Sequence, residues 1–541
     1  MNKRRNESMS ESIFINRATC KTKKSKVDKQ RNVPSRQRTL KSENNPRMTF
    51  FRSSLTPETP LGYITLMSAL SSALLVHETQ LQKSLTGPPL VYSQNTPYMK
   101  ALRHILSTGE DTKETQKTEE HSQSFDPKNK GMLTKDIQPS LFVGTRSVMA
   151  STAAYILHGP KEKPFHSFRE IIHTSDGASL ALDWEIPFLN NQNMYSSISL
   201  QKSKKEIEQE VRCGPISIPV VIILHGINND TSFGYMKHLM RSVSDRGWIA
   251  CGMNFRGCGG VKMSTPRGYT AAYTGDLRTV VHLVEDRLQP DVHVPVFLVG
   301  NSLGANLVTK YLGEEGWSQT LPKCIAGGVT LGNPLAIHSE NVPWPWGELL
   351  AVGVKKTIVH SWETFKAMRQ CSHFSQALKK VLMARTIGQL DNAMAPFLIR
   401  NEPEYPFSSK IGYEDGEAYW KDASSNRYIQ HVSVPLLKLS SQDDFLVVNP
   451  ALKSLGRCIE NPNVLVVKTK FGGHLGWQEA PPDGFGIGKS WAANAMSEFI
   501  DAVLKLREIQ SDDIGNESSN KINAMDLVED MYASTKIQSK L

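Results

Sequence analysis

The chain has 541 residues, of which 39% are hydrophobic and 21% charged, a composition typical of a globular protein with a large core. Its net charge of +10 belongs to the N-terminus: residues 1–60 carry 15 Lys and Arg against 5 Asp and Glu, and the remaining residues carry 48 of each. The seven cysteines are scattered without a CxxC, which argues against a disulfide scaffold and a structural zinc site.

The N-terminal region is expected to hold a basic tail and one apolar segment. Residues 1–60 have the composition of a disordered tail, whose charge also suits contact with anionic lipid. Within an appendage at 61–110, LGYITLMSALSSALLV (61–76) is the candidate membrane segment, although a spanning helix needs about 20 apolar residues. The alternative is an amphipathic or buried helix. The expected localisation is therefore membrane-associated, with a single pass near the N-terminus, and the alternative is cytoplasmic.

Residues 111–164 are polar and are interpreted as a linker, after which the pattern changes. HSFREIIHTSDG and ASLALDWEIP alternate apolar and polar residues around Asp176-Gly177, which predicts a β-hairpin. The polar stretch 190–211 is interpreted as a surface insertion.

A regular series of apolar strands and helices follows. The strands IPVVIILHG, WIACGMNFRG, PVFLVG and CIAGGVTLG alternate with helical segments, and VPLLKLSS and NVLVVKTKF resume the strands later. Continuous apolar strands alternating with helices predict an α/β domain, with a mostly parallel sheet flanked by helices. The domain is expected to span 165–510, with a helical cap at 340–430 and a polar tail at 511–541.

Ser302 is the candidate nucleophile. Gly300-Asn301-Ser302-Leu303-Gly304 is a G-x-S-x-G at a strand-to-helix junction, where the serine adopts a strained backbone with positive φ that exposes its hydroxyl. The flanking glycines are expected because side chains there would clash where helix and strand cross closely. The alternative is a buried serine in a tight turn.

A serine needs a base, and the order of the triad in this fold is Ser, then Asp or Glu, then His. SSQDDF ends a late strand and FGGHLGW follows the next one, so their side chains lie on the same edge of the sheet as Ser302. This predicts His474 as the base and Asp444, which directly precedes apolar residues, as its orienting carboxylate. Asp443 is then a solvated or hydrogen-bonding neighbour.

The oxyanion amides are assigned to Leu303, at the start of the helix, and to Ile227, in the LHGINND loop after an early strand. The alternative for Ile227 is an ordinary turn. The same loop matches H-x-x-x-x-D (His225, Asp230), an arrangement found in some acyltransferases, but two residues at a fixed spacing are a weak signal. RGCGG (256–260) lacks the spacing of a phosphate-binding loop, and Arg256 and Asp276 are expected to organise it structurally.

Taken together, the motifs LHGIN, NFRGCGG, YTGDLRTVV, GNSLGANLVTKYLGEEG, SSQDDF and FGGHLGW resemble the esterase and lipase branch of the α/β-hydrolases. This branch includes bacterial hydrolases, plant embryogenesis-associated esterases and animal membrane-anchored phospholipases. The resemblance covers about residues 165–505 and implies a hydrolase of acyl-lipid esters, either acylglycerols or phospholipids, with Ser302, Asp444 and His474 as its triad. It also favours residues 61–76 as a membrane anchor.

The chain departs from this family at two places: Asn228, Asn229 and Asp230 replace a glycine-rich loop, and Ala305 replaces a glycine.

A serine triad needs no cofactor, and no metal site is expected. The expected partners are an ester substrate and a membrane surface. Nucleic acid is not expected, because the basic tail lacks regularly spaced aromatic residues. The alternative functions are acyl transfer by the same triad and a catalytically silent scaffold.

Overall fold

The computed structural model describes residues 60–108, 130–156, 167–187, 204–290, 292–368, 372–401, 409–447, 455–481 and 487–515. Residues 1–59 of the expected basic tail and residues 516–541 of the polar C-terminal tail lie outside this described part. The chain divides after Leu70 into two units. Of the first unit, residues 60–70 are described and form the start of a helix; every other feature below belongs to the second unit.

The described residues contain eleven strands, named in chain order. They are β1 Leu90–Tyr92, β2 Ser167–His173, β3 Ser179–Glu185, β4 Val220–Leu224, β5 Ile249–Asn254, β6 Val296–Asn301, β7 Ile325–Leu331, β8 Ile399–Asn401, β9 Ser409–Ile411, β10 Leu436–Ser441 and β11 Val464–Thr469. Nine of them form one sheet in the order β1-β11-β10-β7-β6-β4-β5-β3-β2, and β8 pairs with β9 separately.

The helices of the described residues are named in the same way. They are α1 Pro60–Leu85, α2 Pro97–Thr108, α3 Ser147–Ile156, α4 Lys204–Cys213, α5 Gly234–Ser244, α6 Gly275–Asp286, α7 Leu303–Ser318, α8 Trp346–His360, α9 Trp362–Met368, α10 Ser372–Met383, α11 Ile387–Met394, α12 Gly416–Ala423, α13 Leu455–Glu460 and α14 Trp491–Gly515.

The centre of the sheet is parallel. Strands β5, β4, β6, β7, β10 and β11 pair in parallel, whereas β3 joins β5, β2 joins β3 and β1 joins β11 in antiparallel pairs. The β2–β3 pair is the predicted hairpin around Asp176-Gly177. This arrangement confirms the predicted α/β-hydrolase fold. It also brings the carboxyl ends of β4, β6, β7, β10 and β11 to one edge, called the rim below.

Strand residues alternate between two apolar layers, which explains why the central strands are continuous apolar runs. Val221 and Ile223 of β4 pack in the layer that holds buried residues of α2, α5 and α14. Val220 and Ile222 pack in the opposite layer with residues of α4, α6 and α7. Each face of the sheet is therefore covered by helices, and the rim stays available for loops.

Segments that the sequence pattern placed before the hydrolase domain also take part in its core. Strand β1 extends the sheet beyond β11, and α2 buries Met99, Leu102 and Leu106. Part of the expected linker, residues 130–156, contains α3. The described part of the expected surface insertion is helix α4, which buries Ile207 and Val211. Most residues of this segment are polar, so its composition resembles that of a loop, although its buried residues lie four positions apart, as on one face of a helix.

The cap consists of α8 to α12, inserted between β7 and β10. Helices α8 to α11 share an apolar cluster, which contains Ala351, Ile358, Phe365, Phe374 and Leu378, whereas α12 packs in a separate cluster. These helices lie within the interval 340–430 where a cap was predicted.

The candidate membrane segment, 61–76, falls in helix α1. In the described part of the chain, no helix combines the length and the apolar character required to cross a membrane.

Candidate active site

Ser302 lies in a strained turn between β6 and α7. Its φ of 53° and ψ of −112° place it outside the regions that most residues adopt. The Ser302 amide donates a 2.8 Å hydrogen bond to the Leu331 carbonyl at the end of β7, so the neighbouring strand holds the turn. The expected elbow geometry is present.

The glycines on either side of Ser302 allow α7 to cross the strands closely. A Cβ on Gly300 would lie 2.4 Å from the Gly304 carbonyl oxygen. A Cβ on Gly304 would lie 2.6 Å from the carbonyl oxygen of His225, directly after β4. Both contacts are with backbone, which cannot easily move away. The G-x-S-x-G spacing therefore has a steric cause in this fold.

The structure brings Ser302, His474 and Asp444 together. His474 Nε2 lies 2.8 Å from Ser302 Oγ, and His474 Nδ1 lies 2.9 Å from Asp444 Oδ2. His474 is 2% exposed and Asp444 is 4% exposed. The unbroken chain of hydrogen bonds runs from carboxylate to imidazole to hydroxyl, which is the geometry that activates a serine.

Backbone groups fix the Asp444 carboxylate. Its Oδ1 accepts hydrogen bonds from the amides of Leu446 (2.9 Å) and Val447 (3.0 Å) in the loop after β10. The neighbouring Asp443 makes a different contact, accepting a 2.8 Å bond from the Gly473 amide. Burial raises the pKa of Asp443 above its ordinary value. Asp444 thus faces the imidazole, while Asp443 holds the loop that carries it.

The His474 loop has a second support that sequence reasoning missed. The His474 amide donates a 2.8 Å hydrogen bond to Ser151 Oγ in α3, and Ser441 Oγ donates a 2.6 Å bond to the Gly473 carbonyl. Gly473 has a φ of 53°, and a Cβ there would lie 2.2 Å from the Ser147 carbonyl. No local signal marked Ser151, because its role depends on a contact across more than 300 residues of chain.

Ile227 and Leu303 both line the cavity beside Ser302. The Leu303 amide opens α7, where no preceding turn of the helix supplies a carbonyl for it. The positive end of the helix dipole favours an anion at that point. The two residues whose amides are predicted to bind an oxyanion therefore border the same cavity as Ser302.

Polar side chains hold the loop that carries Ile227 in place of the usual glycines. Tyr235 Oη accepts 2.9 Å hydrogen bonds from the Gly226 amide and from Asn229 Nδ2. Asn228, with a φ of 62°, donates through Nδ2 to the Leu350 carbonyl of the cap at 2.9 Å. The departure from the family pattern at Asn228 and Asn229 thus replaces glycines with specific hydrogen bonds, one of which ties the loop to the cap.

His225 does not belong to the reactive chain of hydrogen bonds. Its Nδ1 donates to the Gly226 carbonyl (2.7 Å) and its Nε2 accepts from the Phe255 amide (3.1 Å), an arrangement that only the neutral ring can make. Burial lowers the pKa of His225 to about 4. Because both ring nitrogens are occupied, the H-x-x-x-x-D pattern of His225 and Asp230 does not supply a base.

Arg256 is an organising residue, as predicted. Its guanidinium binds Asp276 Oδ1 at 2.6 Å and Asp176 Oδ2 at 2.7 Å, and the side chain is 1% exposed. Burial lowers the pKa of the guanidinium, but the two carboxylates more than offset that effect, so the pKa lies above its ordinary value. Across the described ranges, no group of three or more His, Cys, Asp or Glu side chains is arranged to hold a metal ion.

A cavity of about 780 Å³ opens onto Ser302 and His474. Its wall combines rim loops with the cap and is mostly apolar. The apolar members are Ile227, Met263, Pro266, Ala271, Leu303, Pro334, Ala336, Ile337, Val342, Pro343, Leu350, Val354, Ile358, Phe365, Ile387, Leu390, Met394, Phe397, Leu398, Leu446 and Val447. Of residues 341–350, at the start of the cap, Asn341, Val342, Pro343 and Leu350 line the cavity. Trp344 is 82% exposed, and Trp346 packs against Phe445. Part of this segment therefore lines the cavity, and part does not.

The fold and this geometry define an α/β-hydrolase. Residues 217–466 match the family described as "Serine aminopeptidase, S33" (Hydrolase_4). The embryogenesis-associated protein EMB8 of Picea glauca is 27% identical over 67% of this chain and 72% of its own length. Phospholipase ABHD3 of Mus musculus is 29% identical over 59% of this chain and 68% of its own length. Monoacylglycerol lipase of Saccharomyces cerevisiae is 26% identical over 52% of this chain and 59% of its own length.

The chain has the α/β-hydrolase fold, is similar to members of the esterase and lipase branch of that superfamily, and is a hydrolase. The resemblance that the motifs indicated is thereby confirmed.

Proposed function

We infer that this protein hydrolyses carboxylic esters of acyl lipids, either acylglycerols or phospholipids, through a Ser302–His474–Asp444 triad. The observation that carries the proposal is the pair of hydrogen bonds that join the three side chains, 2.8 Å from Ser302 Oγ to His474 Nε2 and 2.9 Å from His474 Nδ1 to Asp444 Oδ2. A lipid substrate is supported by the names of two relatives, a phospholipase and a monoacylglycerol lipase, and by the apolar cavity.

In the first half of the reaction, Ser302 Oγ attacks the ester carbonyl carbon while His474 Nε2 takes the hydroxyl proton. Asp444 stabilises the resulting imidazolium through Nδ1. The negative charge on the former carbonyl oxygen is met by the amides of Leu303 and Ile227. The ester bond then breaks, His474 returns the proton to the departing alcohol oxygen, and the acyl group stays on Ser302.

In the second half, water replaces the alcohol. His474 takes a proton from the water, whose oxygen attacks the acyl carbon, and Ser302 Oγ departs with the proton that His474 returns. The products are the free fatty acid and the restored serine. The chemistry uses side chains and water, and needs no cofactor.

In this proposal the acyl chain of the substrate occupies the cavity. Pockets for small ligands are mostly apolar with a few polar groups that fix orientation, and the cap supplies much of this wall. Contact with a lipid surface through residues 61–76 and the basic tail stays a prediction.

The test is labelling with a fluorophosphonate probe, followed by a p-nitrophenyl ester series from acetate to palmitate. Wild type should label and hydrolyse esters, and Ser302→Ala should lose both. Ser318→Ala is a matched control, because Ser318 is an exposed serine near the end of α7 and should label like wild type. A folded wild type that neither labels nor hydrolyses any ester would overturn the proposal and leave the scaffold alternative.

Acyl transfer to an alcohol is the alternative reaction of the same acyl-enzyme. Repeating the assay with added ethanol or glycerol and separating free acid from new ester by chromatography distinguishes the two. Free acid as the main product supports the hydrolase, whereas a new ester as the main product supports the transferase.

A further inference from the structure

Asp391 is a carboxylate in the wall of an otherwise mostly apolar cavity. It lies on α11 of the cap and lines the same space as Ser302 and His474. Its Oδ2 accepts hydrogen bonds from Trp420 Nε1 (2.9 Å) and from Ser339 Oγ. Both donors are neutral and both bind the same oxygen. Among the described residues, no donor is bonded to Oδ1.

Asp391 differs from the carboxylates of the buried ion pairs. Asp276 is paired with Arg256, and Glu315 with Arg278 at 2.6 Å. No cation within the described part of the chain forms an ion pair with Asp391. Burial raises the pKa of Asp391 to about 6, and its two hydrogen bonds only partly oppose that effect. The residue is nevertheless only half-buried, and it lines the cavity.

A carboxylate with an open oxygen in an apolar space is costly unless it meets a hydrogen-bond donor. A carboxylate oxygen is an acceptor, so its complement is a hydroxyl or a protonated amine. The acyl chain of a lipid carries neither group, whereas the alcohol part of many lipid esters carries one. The polar point in the wall is therefore complementary to the alcohol part of the substrate.

We propose that Asp391 is a specificity-determining residue that accepts a hydrogen bond from a hydroxyl or ammonium group on the alcohol part of the ester. The proposal rests on the proposed function, since it assigns the alcohol part of the same substrate. Ser339 and Trp420 act as positioning residues, because both bind Oδ2 and leave Oδ1 to accept the bond from the substrate. Esters whose alcohol lacks a donor gain nothing from Asp391.

The test compares three butyrate esters that share one acyl chain: propyl butyrate without a donor, monobutyrin with hydroxyls, and dimethylaminoethyl butyrate with a protonated amine. Release of butyrate is measured for wild type and Asp391→Asn. The substitution keeps the shape but can turn an amide N–H into the cavity. We expect kcat/KM for at least one donor ester to fall about tenfold or more, mainly through KM, while propyl butyrate changes by about twofold or less.

The ester that loses rate identifies the donor as hydroxyl or ammonium. Glu363→Gln is the matched control, since Glu363 is 81% exposed on the cap and should leave all three rates unchanged. An equal loss for all three esters would indicate a purely structural role for Asp391 and overturn the proposal. Unchanged rates for all three would overturn it too.

Binding separates this proposal from the proposed function. In the Ser302→Ala background, calorimetry measures binding of two ether analogues that cannot be hydrolysed, glycerol monobutyl ether and dimethylaminoethyl butyl ether. If at least one ether binds, and Asp391→Asn weakens that binding about tenfold, the assignment is supported even if wild type hydrolyses no ester. If neither ether binds, or if Asp391→Asn leaves the affinity unchanged, the assignment is overturned even if the hydrolase activity is present.

Discussion

The rim of the sheet and the cap form the two sides of one cavity, but different forces position their side chains. At the rim, backbone hydrogen bonds hold the reactive groups: two amides bind the Asp444 carboxylate, and the His474 amide is bound by Ser151. In the cap, the lining side chains sit on helices that pack around an apolar cluster. One direct link between the two sides is the hydrogen bond from Asn228 to the Leu350 carbonyl.

This difference assigns the chemical step to the rim and the choice of ester to the cap. Backbone hydrogen bonds are directional and fix a side chain to within a narrow range, as a proton-transfer chain requires. Apolar packing is non-directional and tolerates changes of similar volume. Substitutions at the rim should therefore change the rate of reaction on every ester, whereas substitutions in the cap wall should change which esters react.

The largest effect is expected for Asp444→Asn. An asparagine amide favours the wrong tautomer of His474, so kcat should fall by about 10³–10⁴-fold on every ester. Asp443→Asn is the matched comparison, because Asp443 binds the Gly473 amide and not the imidazole. Its loss should be about tenfold or less. Steady-state kinetics on p-nitrophenyl esters checks both, and a reversed order of severity would move the orienting role to Asp443.

A second prediction concerns the buried support of the rim, His225. Its pKa is about 4 in the folded protein and about 6.5 when unfolded, so the unfolded state binds more protons between these values. Stability should therefore fall as pH drops through this window, by about 3 kcal/mol at its lower end. The free energy of unfolding in urea, measured across this window from above pH 7 down to about pH 4, tests this.

His225→Gln removes the titrating group, so the variant should be less stable than wild type at neutral pH and lose less stability on acidification. The difference between the two proteins is then smallest at the lowest pH. Parallel curves for wild type and variant would show that His225 does not carry the acid sensitivity.

Much of the rim could be predicted from sequence because its constraints are local. The close crossing at Gly304 demands a glycine, and the strand before Ser302 and the helix after it are continuous patterns. The order of the elements then placed His474 at the end of a strand. The choice of Asp444 over Asp443 followed from the apolar residues after it, two of whose amides bind its carboxylate in the structure.

The features of the fold and the site that the sequence did not predict depend on contacts between distant parts of the chain. Ser151 lies 323 positions from the amide it binds, and Trp420 lies 29 positions from Asp391. Strand β1 has three residues and joins the sheet beside β11, which no periodicity in so short a segment could reveal. Such features follow from tertiary packing, which overrides local preference.

A third prediction tests the steric origin of the elbow. Gly304→Ala places a Cβ against the His225 carbonyl at 2.6 Å and should lower the free energy of unfolding by about 1–3 kcal/mol. Gly456→Ala is the control, since a Cβ there meets nothing within 4 Å and alanine favours the helix. Thermal unfolding and fluorophosphonate labelling together check it. An equally stable, equally reactive Gly304→Ala protein would show that the crossing can relax.

The smallest effect, and the sharpest test of the cap, compares two valines of helix α8. Val354 lines the cavity, whereas Val352 is 62% exposed. Val354→Phe fills part of the space and should lower kcat/KM for palmitate relative to butyrate by about tenfold, because each excluded methylene loses its burial.

Val352→Phe adds the same side chain to the outer side of α8 and should leave the ratio of palmitate to butyrate rates unchanged. Equal losses on both chain lengths with Val354→Phe would mean that the substitution disturbs the rim through the Asn228–Leu350 hydrogen bond rather than the wall itself. Fluorophosphonate labelling distinguishes these cases, because a small probe reports on the triad without occupying a long acyl site. Unchanged labelling with a shifted chain-length preference is the result expected if the rim performs the chemistry and the cap selects the acyl chain.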